Sequence, residues 1–277
     1  MKINLCMYSN DKFEIPRKAL LNLATKSNIF ENIFEYDREW LEKTEFHKEN
    51  IDILDDPESK GDGWCLWKPY VILESLKKID DGDVLLYMDS SDTFFNDFGN
   101  FLRSYFNNNE LLLIGMEYGE GNANMLYTKR DTFHYMGCDS EIYWIDKQIE
   151  AGIIGIKKSA DTIKFIEEYL FYCKDPLVIK GGKNLCGKEN LRGFIDHRYD
   201  QSILTILKTK HNIQTNSEVR NYIECNMWES RIDDKSYFDT KVRRITMTHN
   251  DRSPISKIWI NEYLRMIDDK YKFNSTQ

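Results

Sequence analysis

Four consecutive residues, Asp89, Ser90, Ser91 and Asp92, place two carboxylates and two hydroxyls directly after the apolar run Val84 to Met88 (VLLYM). Hard divalent ions such as Mg²⁺ and Mn²⁺ take oxygen ligands, commonly one or two carboxylates completed by phosphate oxygens. A departing diphosphate calls for such an ion, because the metal neutralises the charge that builds on the leaving oxygens. A helix cap or an Asx turn is the plainer use of the same residues.

Three other clusters carry chemistry. Gly61, Gly63, Trp64, Trp67 and Lys68 form a compact segment (GDGWCLWK). Glycine lets a backbone approach a ligand closely, a lysine can reach a phosphate, and a tryptophan can stack on a base or sugar. The alternative is a core role for Trp67 and a solvated Lys68. His197, Arg198, Asp200 and Gln201 gather four polar groups within five positions. Helix N-termini favour anions, so Asp200 could serve there as a cap alone. Gln148, Glu150, Ala151 and Gly152 pair two polar groups with two small residues. The small pair makes room either for a ligand or for close packing.

The elements that would position these groups are legible from apolar patterning. Lys2 to Tyr8, Asn32 to Tyr36, Val84 to Met88, Leu111 to Met116 and Lys147 to Lys157 read as strands, and Arg243 to Thr248 as a late one. Helices are expected from Pro16 to Lys26 with Ala19, Leu20 and Leu23 on one face, over Val71 to Ile79 behind Pro69, after Ser159 with Ile163, Ile166 and Leu170 inward, and over Asp200 to Lys210. Asp37 to Lys60 reads as a solvated loop or polar helix, and Lys180 to Asn190 as a mobile loop. The tail from Ile255 to Phe273 reads as a core-packing helix. Strands alternating with helices define an α/β protein with an open, mostly parallel sheet, in which ligands sit beyond the carboxyl ends of the strands. The polar clusters Ser9-Asn10, Asp89 to Asp92 and His249-Asn250 all fall at expected strand ends.

Composition excludes several classes. With 277 residues, 41% of them apolar and 30% charged, the chain is globular and long enough for a sizeable core. The net charge of −8 argues against a nucleic-acid footprint. Cys6, Cys65, Cys138, Cys173, Cys186 and Cys225 include no CxxC pair and read as reduced thiols. No apolar run suits a signal peptide or a membrane span. The expectation is a cytoplasmic protein, free or resting on a membrane surface.

Read as one block, GDGWCLWKPYVILESLKKIDDGDVLLYMDSSD resembles the GT-A fold nucleotide-sugar glycosyltransferases of capsular-polysaccharide and lipopolysaccharide biosynthesis and of large algal viruses. QIEAG (Gln148 to Gly152), HRYDQSIL (His197 to Leu204) and the late THN (Thr248 to Asn250) are similar to segments of the same group, and the resemblance spans roughly residues 1–255. It implies a three-layer sandwich in one domain over residues 1–277, with 1–115 mainly nucleotide-binding and 116–277 mainly acceptor-binding. It implies a nucleotide-sugar donor, UDP-linked by analogy, a glycan acceptor, and Mn²⁺ or Mg²⁺ on Asp89, with His249 as a late ligand. A strict Asp-x-Asp pattern would put the second acid at Ser91. Either Asp92 replaces that ligand through a local turn, or Ser91 faces the pyrophosphate and the ion is weakly held.

The resemblance also places Tyr8 and Ser9 near the nucleotide. Trp67, Lys68, Gln148, Gly152, His197, Arg198 and Gln201 would line the substrates. If the anomeric centre inverts, a carboxylate must take the acceptor's proton, with Asp200 the first choice and Glu150 the second. If configuration is retained, Gln148 or Asp200 could steady the developing oxocarbenium charge. Two other readings are a sugar-1-phosphate nucleotidyltransferase and a non-catalytic nucleotide- or carbohydrate-binding protein. The first strand lacks the glycine-rich loop that a nucleotidyltransferase would place after it.

Overall fold

The computed structural model describes residues 1–94, 97–116 and 122–224. The expected strand at 243–248, the tail helix, Cys225 and His249 lie outside the described residues. The strands are β1 (Ile3–Ser9), β2 (Ile33–Asp37), β3 (Val84–Met88), β4 (Thr93–Phe94), β5 (Leu111–Gly115), β6 (Ile149–Lys157) and β7 (Ile223–Glu224). Five of them form one sheet in the order β2-β1-β3-β6-β5. A short antiparallel β4–β7 pair stands apart.

The sheet is mixed, which corrects the expectation of a mostly parallel one. β1 pairs in parallel with β2 and β3, but β6 runs antiparallel to both β3 and β5. Four strands therefore point one way and β6 is reversed between two of them. The apolar pattern of a strand buried on both faces identifies a strand but says nothing about its direction.

The side-chain period of two splits each central strand between two cores. Cys6, Tyr8, Leu85 and Tyr87 face one; Leu5, Met7, Leu86 and Met88 face the other. The first core is covered by the helices Trp67–Leu76, Ala160–Cys173 and Tyr199–Lys210. The second lies under Glu14–Ser27 and Phe98–Tyr105. The architecture is thus three layers, helix on sheet on helix. Ser159 caps Ala160–Cys173 through a reciprocal bond with Thr162, as a residue of its type should. That helix buries Phe165, Ile166 and Tyr169, while Ile163 and Leu170 are only partly covered.

The region expected as a solvated loop or polar helix and the expected loop after Lys180 both take definite form. Residues 37–60 contain three short helices, Arg38–Glu42, Glu45–Glu49 and Ile51–Leu54. They are tied together by Arg38, whose guanidinium meets Glu42, Asp55, Asp62 and the Leu54 carbonyl. The segment after Lys180 is pinned by Asp131, which accepts the backbone N–H groups of Leu185 and Cys186. Among the described residues Cys6, Cys65, Cys138, Cys173 and Cys186 form no disulfide. Among the described residues no helix is long and apolar enough to cross a membrane.

Candidate active site

The site forms at the carboxyl ends of β1 and β3, where β6 becomes irregular. The β5–β6 register jumps at Leu113/Ile114, so Ala151 and Gly152 leave the β5 ladder. A bulge of this kind frees backbone groups for other work. The Ala151 carbonyl accepts from Lys68 Nζ at 3.0 Å, and the Gly152 carbonyl accepts the Asp89 N–H at 2.7 Å.

Asp89 and Asp92 converge on Gly152. A methyl group added at Gly152 would lie 2.9 Å from Asp92 Oδ2 and 3.2 Å from Asp89 Oδ2. The tight turn that brings them together is closed by the Asp92 N–H donating to the Asp89 carbonyl at 2.9 Å. Asp92 is buried, whereas the Asp89 side chain stays 40% exposed. The Tyr87 hydroxyl donates to Asp89 Oδ1. Tyr87 sits two residues earlier in β3, hence on the same face. Burial first, then the Asp89 charge, pushes Tyr87 well above the ordinary phenol range, so it remains a donor.

Beneath Asp89 lies Lys68, 3% exposed. Its ammonium stands 3.0 Å from Asp200 Oδ2 and 3.5 Å from Asp89 Oδ1. Burial alone would discharge a lysine, but Asp200 and Asp89 outweigh it and hold Lys68 above its usual range. Desolvation pushes the Asp89 carboxyl up, with Lys68 and Tyr87 opposing. Asp200 is 4% exposed and also accepts from the Tyr169 hydroxyl at 3.0 Å. The expected phosphate-facing lysine is thus turned inward.

The GDGWC segment is a left-handed turn. Gly61, Asp62, Gly63, Trp64 and Cys65 all have φ between 56° and 76°. Only glycine fits at Gly63, where a Cβ would come within 2.7 Å of the Leu54 Cα. The turn presents Asp62 to the Tyr8 hydroxyl at 2.5 Å and the Gly61 carbonyl to Trp67 Nε1 at 3.1 Å. Tyr8 and Trp67 stack at 3.9 Å, both buried. Ser9 is buried beside them at the end of β1, and Ser91 is half-buried in the turn after β3.

Other expected site residues sit deeper or farther along. Gln148, 1% exposed, donates to Asn124 and Thr128 and accepts from Gln201 at 2.6 Å. His197 is buried, and its Nδ1 accepts the Lys129 N–H at 3.4 Å. Burial, then the Lys129 charge, lowers its pKa to about 3, so it is neutral. The Arg198 guanidinium lies over the Tyr127 ring at 4.9 Å. Glu150 is paired with Arg220 at 2.7 Å, and Arg220 also donates to the Gly115 carbonyl.

The structure therefore gathers Asp89, Asp92, Gly152, Lys68 and Asp200 into one cluster, with Tyr8 and Trp67 stacked on each other. The sequence reading missed Tyr87, Tyr169, Asp62 and Arg220. Tyr87 could have been found from its period-two relation to Asp89; the others carry no local signal. Among the described residues no three His, Cys, Asp or Glu side chains converge as a metal cage. Two carboxylate oxygens flanking a cradle that a Cβ would fill do suit a hard ion that completes its shell with phosphate oxygens. An open depression of about 500 Å³ lined by Asp97, Phe101, Tyr105, Glu218 and Tyr222 belongs to the opposite side of the sheet.

No protein-family model matches the chain, and no curated protein matches it. The chain does match solved structures of glycosyltransferases. One is the bifunctional glycosyltransferase WbbM, at 14% identity and TM-score 0.43, covering 74% of this chain and 37% of that one. Mouse xyloside xylosyltransferase 1 matches at 8% identity and TM-score 0.41, over 78% of this chain and 84% of that one. A glycosyltransferase involved in glycosylation of the major capsid of PBCV-1 matches at 15% identity and TM-score 0.33, over 62% and 66% of the two chains. This chain thus spans little more than a third of the WbbM chain's length.

Proposed function

We propose that the protein is a glycosyltransferase that moves a sugar from a nucleoside diphosphate, UDP by analogy, to a hydroxyl of a glycan acceptor. The observation that carries this reading is the convergence of the Asp89 and Asp92 carboxylates on Gly152 at the carboxyl edge of the sheet. Mn²⁺ or Mg²⁺ would be held by Asp89 and Asp92, with His249 a proposed further donor. When bound, the ion would supply charge neutralisation to the departing diphosphate.

The chain's own groups do the rest. Gly152 leaves the space that a side chain would occupy. Tyr87 and Lys68 both engage Asp89 Oδ1, which keeps Oδ2 turned toward Gly152 and Asp92. The stacked Tyr8 and Trp67 give the nucleotide side of the site a rigid apolar wall. The pairing of Glu150 with Arg220 holds that carboxylate at the opposite, β5 side.

Calorimetry with UDP, with and without Mn²⁺, followed by a hydrolysis assay on UDP-sugars, tests the reading. Wild-type protein should bind UDP more tightly with Mn²⁺ and turn over a UDP-sugar. Asp89→Ala should lose both while keeping its melting temperature. Wild-type turnover in Asp89→Ala would overturn the assignment, and UDP binding without any turnover would point to a non-catalytic binder.

A further inference from the structure

We propose that Asp200 is a positioning residue and not the proton acceptor: it holds the Lys68 ammonium, and through it the Asp89 carboxylate, in the orientation that receives the cation and diphosphate. The inference rests on the transferase reading and concerns how its site is kept in shape.

An ammonium has three protons to donate. Lys68 Nζ has three acceptors around it: Asp200 Oδ2 at 3.0 Å, the Ala151 carbonyl at 3.0 Å and Asp89 Oδ1 at 3.5 Å. The lysine is therefore committed, and it cannot swing to a phosphate without abandoning a partner. Its contact with Asp89 Oδ1 is reinforced by the Tyr87 hydroxyl on the same oxygen. Asp89 Oδ2 is left facing Gly152 and Asp92. The orientation of one carboxylate is thus set by a lysine that a second carboxylate holds.

Asp200 is poorly placed for the other role. A general base must reach the proton it takes, directly or through one water. Asp200 is 4% exposed, and its Oδ2 already accepts from Lys68 and from Tyr169.

The backbone supports the same conclusion. Tyr199, just before Asp200, has φ 49°, and the left-handed run Gly61 to Cys65 ends three residues before Lys68. Non-glycine residues hold such a conformation only where the surroundings enforce it. The two strained stretches meet, with Trp64 and Tyr199 rings edge to face at 4.8 Å. Both partners of the ion pair are delivered by backbone fixed in place by the other's neighbour.

The test is Asp200→Asn, read by calorimetry of UDP with Mn²⁺ in the absence of acceptor, where no proton transfer takes place. The positioning role expects affinity to fall tenfold or more. It also expects the pH profile of kcat to be retained. Tyr169→Phe should weaken UDP–Mn²⁺ binding in the same direction by a smaller factor, and it carries the test if Asp200→Asn does not fold. Unchanged affinity in these variants, with turnover lost and the acidic limb of the pH profile abolished in Asp200→Asn, would overturn the role. Wild-type protein that binds no UDP with Mn²⁺ would take down the transferase reading and this inference together; wild-type binding with unchanged Asp200→Asn affinity would remove only the inference.

Discussion

Among the described residues two lysine–aspartate pairs are almost fully buried, and they are finished differently. Lys129 and Asp131 meet at 3.2 Å with side chains 4% and 0% exposed. Lys129 also donates to the Lys180 carbonyl, and Asp131 accepts the backbone N–H groups of Leu185 and Cys186. Burial would raise the Asp131 carboxyl, but the Cys186 and Leu185 bonds and Lys129 hold it below its ordinary range. That pair is closed on itself and on a loop. Lys68 and Asp200 are as deeply buried, yet their lysine leads outward to Asp89, which keeps 40% of its surface in solvent. One pair spends its charge on fixing backbone. The other spends it on aiming a carboxylate at a cradle beside Gly152. Burial of a charge is thus no guide to function by itself; what matters is whether the chain of contacts ends on fixed backbone or on a carboxylate open to solvent.

The largest expected effect separates the pairs. Removing one member of a buried ion pair leaves the other uncompensated, at a cost of about 3–5 kcal/mol. Asp131→Asn and Lys68→Met should both lower stability by roughly this amount in urea unfolding. Only Lys68→Met should also lose UDP–Mn²⁺ affinity in the protein that remains folded. Equal binding by the two variants would erase the contrast.

Gly152→Ala sharpens it from the other side. The new methyl would press on Asp92 Oδ2 and Asp89 Oδ2, at 2.9 and 3.2 Å. Donor turnover should fall by about tenfold to a hundredfold, equivalent to roughly 1.4–2.8 kcal/mol. The melting temperature should change little, because Gly152 lies in a strand without a positive φ. Unimpaired donor turnover in Gly152→Ala would mean that the cradle is not used.

The smallest effect concerns the closed region and pH. His197 sits against Lys129 with its pKa lowered to about 3. An unfolded histidine titrates near 6.5, so between about pH 6.5 and 3 the unfolded chain binds a proton that the native one refuses. Stability should therefore fall as pH drops through that window, by at most about 1.4 kcal/mol per unit from this residue. Urea unfolding at pH 7 and 5 should show a weaker pH dependence in His197→Gln than in wild type, with Mn²⁺–UDP binding untouched. An identical pH dependence would show that His197 is not held neutral.

Much of the frame was legible in local sequence. β3, β5 and β6 announce themselves as apolar runs of strand length, and the Ala160–Cys173 helix begins at the cap that Ser159 supplies. The reversed direction of β6 was not legible, because a buried strand reads the same either way. Residues 37–60 were legible as polar and helix-compatible, but not the way Arg38 draws Glu42, Asp55 and Asp62 around itself. At the site, Asp89, Asp92 and Gly152 were visible from type and position. The inward turn of Lys68 was not, since its partner Asp200 is brought beside it only by packing of the Trp67–Leu76 and Ala160–Cys173 helices over the same core as Tyr199–Lys210. Contacts between elements far apart in sequence carry no short-range signature.

The most direct measurement is a crystal of the protein soaked with UDP and MnCl₂, with anomalous data collected at the manganese edge. The expected result is a manganese peak at the Asp89 and Asp92 carboxylates with UDP density beside it and Lys68 still turned inward on Asp200. Manganese and UDP bound elsewhere, with both carboxylates untouched, would contradict it.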